Sequence, residues 1–217
     1  HKPVEDGFPF DVETDSLADT MGLRLPNRSL FVIQGIVGAG KSLIAQRLVH
    51  GMLENGTKIL VITTELTTRG WIEQMESIGY PVTEHIASGM LLVFSQFGVI
   101  AESKEGVDMF DVLESEAIEK ADVVVVDSAS ALLPTGLETS EQMQVLQRLR
   151  RVCSESRSLL LTIDPTEMDE KLLHKMRSSC EVLLDMQSGF VGGEINSLQN
   201  SNVTYIRLIN KYFNVHV

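Results

Sequence analysis

Apolar residues along the chain fall into two patterns that alternate from the first third onward. One is a short continuous run. Residues 30–34 form such a run ending at Gly35, and 58–63, 91–94, 123–126 and 158–163 repeat it. Runs this short and uniform predict strands buried on both faces. The other pattern recurs every three or four positions. Residues 42–53 place Leu43, Ile44, Leu48, Val49, Met52 and Leu53 on one stripe, with Gly56 as a stop. Residues 68–78 carry Trp71, Ile72, Met75 and Ile78 ahead of Gly79 and Pro81. Residues 141–153 carry Met143, Leu146, Leu149 and Val152, and a further helical segment is expected over 109–119. This spacing predicts amphipathic helices.

Strands of the first kind alternating with helices of the second predict an α/β fold with a mainly parallel central sheet and helices on both faces. Residues 182–186 and 203–209 read as strands that finish or edge the sheet, joined by a hairpin-like connection over 188–202 with Gly189, Gly192 and Gly193. Residues 1–29 are broken by Pro3, Pro9 and Pro26 and read as an extended lead-in with one short helix near 16–21. With 217 residues, 43% of them hydrophobic, the chain suits one substantial core, so a single domain over 1–217 is expected.

Charge narrows the set of partners. Lys and Arg total 18 against 30 Asp and Glu, a formal net charge of −12. Such an excess repels phosphate backbones at long range, and the 188–202 connection contains Glu194 but no Lys or Arg, so no nucleic-acid partner is expected. Cys153 and Cys180 lack CxxC spacing and read as core thiols, and the histidines are scattered singly, which gives a structural zinc site no support. Residues 1–20 carry acids and no apolar h-region, and no apolar run approaches the roughly 20 residues of a spanning helix. The expectation is a cytoplasmic protein that meets a membrane only through partners.

The most specific signal is Gly35-Ile36-Val37-Gly38-Ala39-Gly40-Lys41-Ser42, a G-x-x-x-x-G-K-[ST] motif between a predicted strand and a predicted helix. The glycines let successive N–H groups face phosphate oxygens, Lys41 brings a mobile positive charge toward the β and γ phosphates, and Ser42 offers a hydroxyl to Mg²⁺. ATP and Mg²⁺ are the ligands this chemistry calls for. Asp127, at the carboxyl end of 123–126, falls on the same sheet edge, where it can hold a magnesium-bound water or simply cap the next turn.

Hydrolysis needs one group more, a carboxylate that orients or deprotonates water beyond the γ phosphate. Glu65 follows the strand of 59–64 and is the candidate base; the alternative is a carboxylate that stabilises the start of the helix at Thr68. Asp164 follows the strand of 159–163 and is a candidate γ-phosphate sensor, although strand termination before Pro165 explains an Asp equally well.

Three stretches together resemble a known group: 35–42; Thr64-Glu65-Leu66-Thr67-Thr68 running into Gln74-Met75-Glu76-Ser77-Ile78-Gly79-Tyr80; and 123–128. They are similar to the KaiC-like branch of the RecA-type ATPases, and within it to the FlaH family of the archaeal flagellum, or archaellum. The resemblance spans residues 10–213. It implies a RecA-like P-loop core, ATP bound with Mg²⁺, weak or absent hydrolysis, and a partner in the motor and assembly ATPase FlaI at the base of the filament. Residue by residue, it assigns Lys41, Ser42 and Asp127 to the nucleotide site and Glu65 to the water-activating position.

Two departures accompany the resemblance. Many KaiC relatives carry paired acids where Glu65 is followed here by Leu66, and many carry Lys-x-Arg on a late strand where this chain has Lys211-Tyr212-Phe213. One candidate base without a clear arginine finger favours an interaction module governed by nucleotide. The alternative is an active oligomeric ATPase in which Glu65 is the general base, and a homo-oligomeric ring suits either reading.

Overall fold

In the computed structural model, residues 7–21, 24–97, 109–133, 135–153, 156–190 and 202–210 are described. In chain order the elements are α1 (Leu17–Met21), β1 (Leu30–Gln34), α2 (Lys41–Glu54), β2 (Ile59–Thr63), α3 (Thr68–Ser77), α4 (Thr83–Ala87), β3 (Leu91–Ser95), α5 (Met109–Leu113), β4 (Val123–Asp127), α6 (Thr139–Val152), β5 (Ser158–Ile163), α7 (Glu170–Ser179), β6 (Val182–Phe190) and β7 (Asn202–Asn210). Single-turn 3₁₀ segments lie at Glu116–Ile118, Ser130–Leu132 and Pro165–Glu167.

The strands form one sheet in the order β3-β2-β4-β5-β1-β6-β7. Every pair is parallel except β6 with β7, which is antiparallel. Alternating strand residues feed two cores, as the two-residue side-chain period requires. Leu30, Val32, Val124 and Val126 face a core with α5, α6 and α7, whereas Phe31, Ile33, Val123 and Val125 face one with α2, α3 and the lead-in. Covering both faces explains why β1 and β4 are apolar at every position before their last residue, Gln34 and Asp127. Trp71 is 2% exposed and belongs to the second core.

The helices depart from the sequence pattern in three places. The helix expected over 109–119 breaks after Leu113, and Ser115 accepts a hydrogen bond from the Ala117 N–H, so a local side-chain bond starts a 3₁₀ turn where the helix would have continued. α7 is absent from the sequence pattern, although Asp169 caps it by accepting from the Lys171 and Leu172 N–H groups and Leu172, Leu173 and Met176 are buried. The short α4 was likewise missed.

The lead-in, expected to be an extended approach, contributes three buried side chains to the core among its described residues. Phe8 and Leu25 pair as an antiparallel bridge, and Phe8, Phe10 and Leu25 are 4%, 1% and 1% exposed. Buried Arg47 on α2 fastens this segment, donating to the Phe10 carbonyl (2.9 Å) and to both Asp15 carboxylate oxygens (2.5 and 2.8 Å). The guanidinium holds the Asp15 carboxyl below its ordinary pKa. Gly51 makes the close approach feasible, because a Cβ there would lie 2.1 Å from the Phe10 oxygen. Among the described residues no helix is long and apolar enough to cross a membrane. Lys211, Phe213 and most of the 188–202 connection lie outside the described residues.

Candidate functional site

Parallel strands that point one way deliver the residues following them to one edge of the sheet. Here β1 delivers the loop from Gly35 to Gly40, β2 delivers Glu65, β4 ends in Asp127 and β5 delivers Asp164. The edge was therefore set by strand order, and the four candidate elements are brought together.

The loop is shaped by glycines where a side chain is strained. Gly38 and Gly40 have φ of 82° and 91°, in the left-handed region. Gly35 is crowded instead, since a Cβ would meet Ala39 Cβ and the Met186 oxygen at 3.1 Å each. Gly40 forms the start of α2 with no side-chain cap, whereas Thr67 caps α3 and Asp169 caps α7. The first N–H groups of α2 are thus left for another acceptor. Lys41 Nζ turns back onto the Ile36 carbonyl at 3.2 Å, within the loop it belongs to. Below the loop, Gln34 on β1 donates to Asp185 (2.9 Å) and accepts from Arg177 (2.7 Å), which fixes the last residue before the first glycine.

Asp127 is 7% exposed. Its Oδ1 accepts from Ser42 Oγ at 3.2 Å and from Thr162 Oγ1 at 2.6 Å, which joins β4 to α2 and β5. The peptide from Asp127 to Ser128 is cis. Beyond it runs a chain of hydroxyls: Thr64 Oγ1 accepts from the Ser128 N–H and donates to the Ser128 carbonyl (2.9 Å each), Ser128 Oγ lies 2.8 Å from Ser130 Oγ, and Ser130 Oγ accepts from the Asp164 N–H (3.2 Å). The strand ends beneath Glu65, Asp127 and Asp164 are thereby stitched into one frame.

Glu65 and Asp164 are pushed in opposite directions. Glu65 is an exposed residue, yet the packing around its carboxyl and the Asp127 charge raise its pKa, with Glu167 adding slightly and Lys41 opposing. For buried Asp164, burial would do the same, but hydrogen bonds from Thr166, the Lys41 charge and the Val37 N–H together hold its carboxyl below the ordinary value. Asp164 also caps the 3₁₀ turn, accepting from the Thr166 N–H (2.9 Å) and hydroxyl (2.7 Å). It is both strand terminus and neighbour of the loop, so the two sequence readings of this residue are compatible.

Chemically, the loop offers uncapped N–H groups and one lysine to a chain of phosphates. The Ser42 hydroxyl and the Asp127 carboxylate are the hard oxygen donors a Mg²⁺ ion prefers. The donor set fits both groups. Sequence reasoning missed Thr162 and Gln34. Gln34 is the one polar residue of β1, and Thr162 interrupts the apolar run of β5 that follows Ser158, which is the available signal.

The family described as ATPase: KaiC matches residues 14–179, three-quarters of the chain and all of the motif residues on this edge. This chain belongs to the KaiC family of ATPases. Within that family it is homologous to the archaeal flagellar ATP-binding protein FlaH. It is 30% identical to FlaH of Methanocaldococcus jannaschii over 191 residues, covering 87% of this chain and 82% of that protein. It is 28% identical to FlaH of Sulfolobus acidocaldarius over 177 residues, 78% of this chain and 75% of the relative. The crystal structure of the flagellar accessory protein FlaH from Methanocaldococcus jannaschii superposes with a TM-score of 0.77 at 26% identity, covering 93% of this chain and 87% of that one. The β6–β7 pair of this chain lies beyond the matched residues 14–179.

Proposed function

We propose that this chain is an ATP·Mg²⁺-binding regulatory and assembly subunit of the archaellum motor complex, a single domain whose nucleotide state governs association with the motor ATPase FlaI at the cytoplasmic face of the membrane. The observation that carries the reading is the Ser42–Asp127 hydrogen bond beneath an uncapped, glycine-shaped helix start. The backbone of residues 35–42 and Lys41 bind the phosphates. Ser42 and Asp127 would hold Mg²⁺, Asp127 partly through water, and the ion would supply neutralisation of phosphate charge. Asp164, beside Lys41 and Val37, is the sensor of the γ phosphate. The names of the FlaH relatives, which are ATP-binding and flagellar, support the nucleotide and the setting.

Slow or absent hydrolysis is part of this reading, because Glu65 is followed by Leu66 and Phe213 stands two positions after Lys211. A second reading, an active oligomeric ATPase that converts ATP to ADP and phosphate with Glu65 as base, is favoured by the raised pKa of Glu65. Phosphate release separates the two readings: a rate on the order of 10 per second from the isolated chain, ordinary for an enzyme, would establish the second. Nucleotide binding itself is tested by calorimetric titration of wild type and Lys41→Ala with ATP·Mg²⁺. The variant is expected to lose most of the affinity, and equal affinity would overturn the assignment.

A further inference from the structure

The turn that carries Glu65 is held by its backbone on both sides. The Thr64 N–H donates to the Asp127 carbonyl (2.9 Å) and the Thr64 carbonyl accepts from Gln96 Nε2 (2.7 Å). The Leu66 N–H donates to Thr63 Oγ1 (3.3 Å) and the Leu66 carbonyl accepts from Ser95 Oγ (2.5 Å). Two of these four partners, Ser95 and Gln96, come from the end of β3, a strand that contributes no residue to the phosphate loop. We propose that Gln96, assisted by Ser95, is a positioning residue that holds the backbone on both sides of Glu65 and so fixes where its carboxylate stands at the ligand-bearing edge of the sheet. The inference rests on the reading of Glu65 as the group that orients water beyond the nucleotide.

The argument is one of place and reach. β3 pairs with β2 in register up to Ser95 opposite Thr63, and the Gln96 N–H still donates to the Thr63 carbonyl (3.2 Å). At Thr64 the backbone ladder between the strands ends, and the Gln96 side-chain amide takes the next carbonyl in its stead. Ser95, 1% exposed, takes the Leu66 carbonyl, two residues further on. Thr64 is only 3% exposed and Leu66 is half-buried, so these carbonyls need partners within the protein, and two side chains from the neighbouring strand end supply them on either side of the exposed Glu65. Bonds to both flanking residues leave the Cα of Glu65 little freedom to swing. Placement matters at such a position, because a displacement near 1 Å at a reacting group can cost roughly 10²-fold in rate. Ser95 and Gln96 touch no reacting atom and act only through Glu65.

Gln96→Met preserves length and bulk while removing the donor. The full chain, the variant, Glu65→Gln and the double variant are compared by single-turnover ATP·Mg²⁺ hydrolysis with protein in excess, by calorimetric ATP·Mg²⁺ titration, and by ¹³C NMR titration of glutamate carboxyls, with Glu65→Gln assigning the Glu65 resonance. The Gln96→Met substitution is expected to slow turnover roughly tenfold, keep ATP·Mg²⁺ affinity within about twofold, and add nothing in the Glu65→Gln background. It is also expected to move the Glu65 midpoint down toward the ordinary carboxylate range, as the group leaves Asp127 for solvent. Ser95→Ala is expected to do the same more weakly. An unmoved Glu65 midpoint in a folded Gln96→Met variant overturns the proposal, and this readout needs no turnover. If Glu65→Gln hydrolyses as fast as wild type, the base reading fails, while the titration still decides whether Gln96 places the carboxylate.

Discussion

Ser42 Oγ donates to Asp127 Oδ1 across 3.2 Å, tying the first turn of the helix after the glycine loop to the last residue of a strand two places away in the sheet. The same Asp127 oxygen accepts from Thr162 at 2.6 Å. A carboxylate held by two hydroxyls is fixed in direction before any ligand arrives, which reduces the ordering needed on binding.

Asp127→Asn separates the charge from the frame. The Asn carbonyl oxygen can still accept from Ser42 and Thr162, so folding is expected to survive, whereas the negative charge offered to Mg²⁺ is gone. Affinity for ATP in the presence of Mg²⁺ is expected to fall about 10- to 100-fold, the range found when metal-site partners are changed, and affinity for ATP in excess EDTA to change little. Calorimetry under both conditions checks it. An equal loss with and without the ion would place Asp127 outside the metal site.

Glu65 makes a prediction about pH. Its pKa is raised in the folded chain by packing around the carboxyl and by Asp127. The folded state therefore holds this proton more tightly than the unfolded state does. Below the ordinary glutamate value both states are protonated and the residue makes no difference; as pH rises through that value, ionisation begins to disfavour the folded form. Glu65→Gln should then melt at or slightly above the wild-type temperature at neutral pH, with the gap closing on acidification below the ordinary glutamate range. Thermal scans across pH measure this. A variant less stable than wild type at pH 7 and equal at pH 4 would reverse the sign and refute the account.

Much of this site was legible because its parts are local in sequence or set by topology. The G-x-x-x-x-G-K-S motif needs only neighbours along the chain, and a run of four valines ending in Asp127 puts that acid at the ligand-bearing edge of a parallel sheet. The contacts that orient Glu65 were not legible. Gln96 and Ser95, at the end of β3, bond the carbonyls of Thr64 and Leu66 on either side of it, and nothing in their own neighbourhood distinguishes them from residues that merely end a strand. α7 escaped for a different reason: its apolar positions, Leu172, Leu173 and Met176, fill only one narrow face of ten residues rich in charge. Trp71 illustrates an ambiguity that periodicity could not resolve, because a large aromatic on a helix face serves a core or an interface equally well, and its 2% exposure places it in the core.

The lead-in shows a further limit, because three prolines and several acids concealed its buried phenylalanines. Its packing predicts an unusual response to Gly51→Ala. Within a helix this exchange ordinarily stabilises by roughly 0.5–1 kcal/mol. Here the added Cβ would sit 2.1 Å from the Phe10 oxygen and 2.5 Å from Arg47 Nη1, so the lead-in must move. Overpacking of this kind costs about 1–3 kcal/mol, and the net expectation is destabilisation. Urea unfolding of the full chain provides the check, and a gain in stability would show that residues 7–15 are not held where the structure places them.

Nucleotide-dependent association has a physical route through the same residues. Occupancy of the loop acts on Ser42 and so on α2, whose Gln46 donates to Gln74 of α3 at 2.7 Å. α3 starts at its Thr67 cap, two residues after Glu65, so both ends of the crevice meet one helix. A ligand can shift association only by binding one state better than the other, and couplings of this sort are typically 1–3 kcal/mol, or about 5- to 150-fold in affinity. Charge then distinguishes the two kinds of assembly. Identical chains of net charge −12 repel each other, so a homo-oligomer should strengthen as salt screens the repulsion, whereas attachment of this acidic chain to a partner through opposite charge should weaken. Masses in solution of the apo, ADP and ATP forms, measured at low and high salt with and without FlaI, are expected to show tighter association in ATP than in ADP. Masses and partner affinity indifferent to nucleotide in every combination would remove the switch and leave a constitutively assembled scaffold.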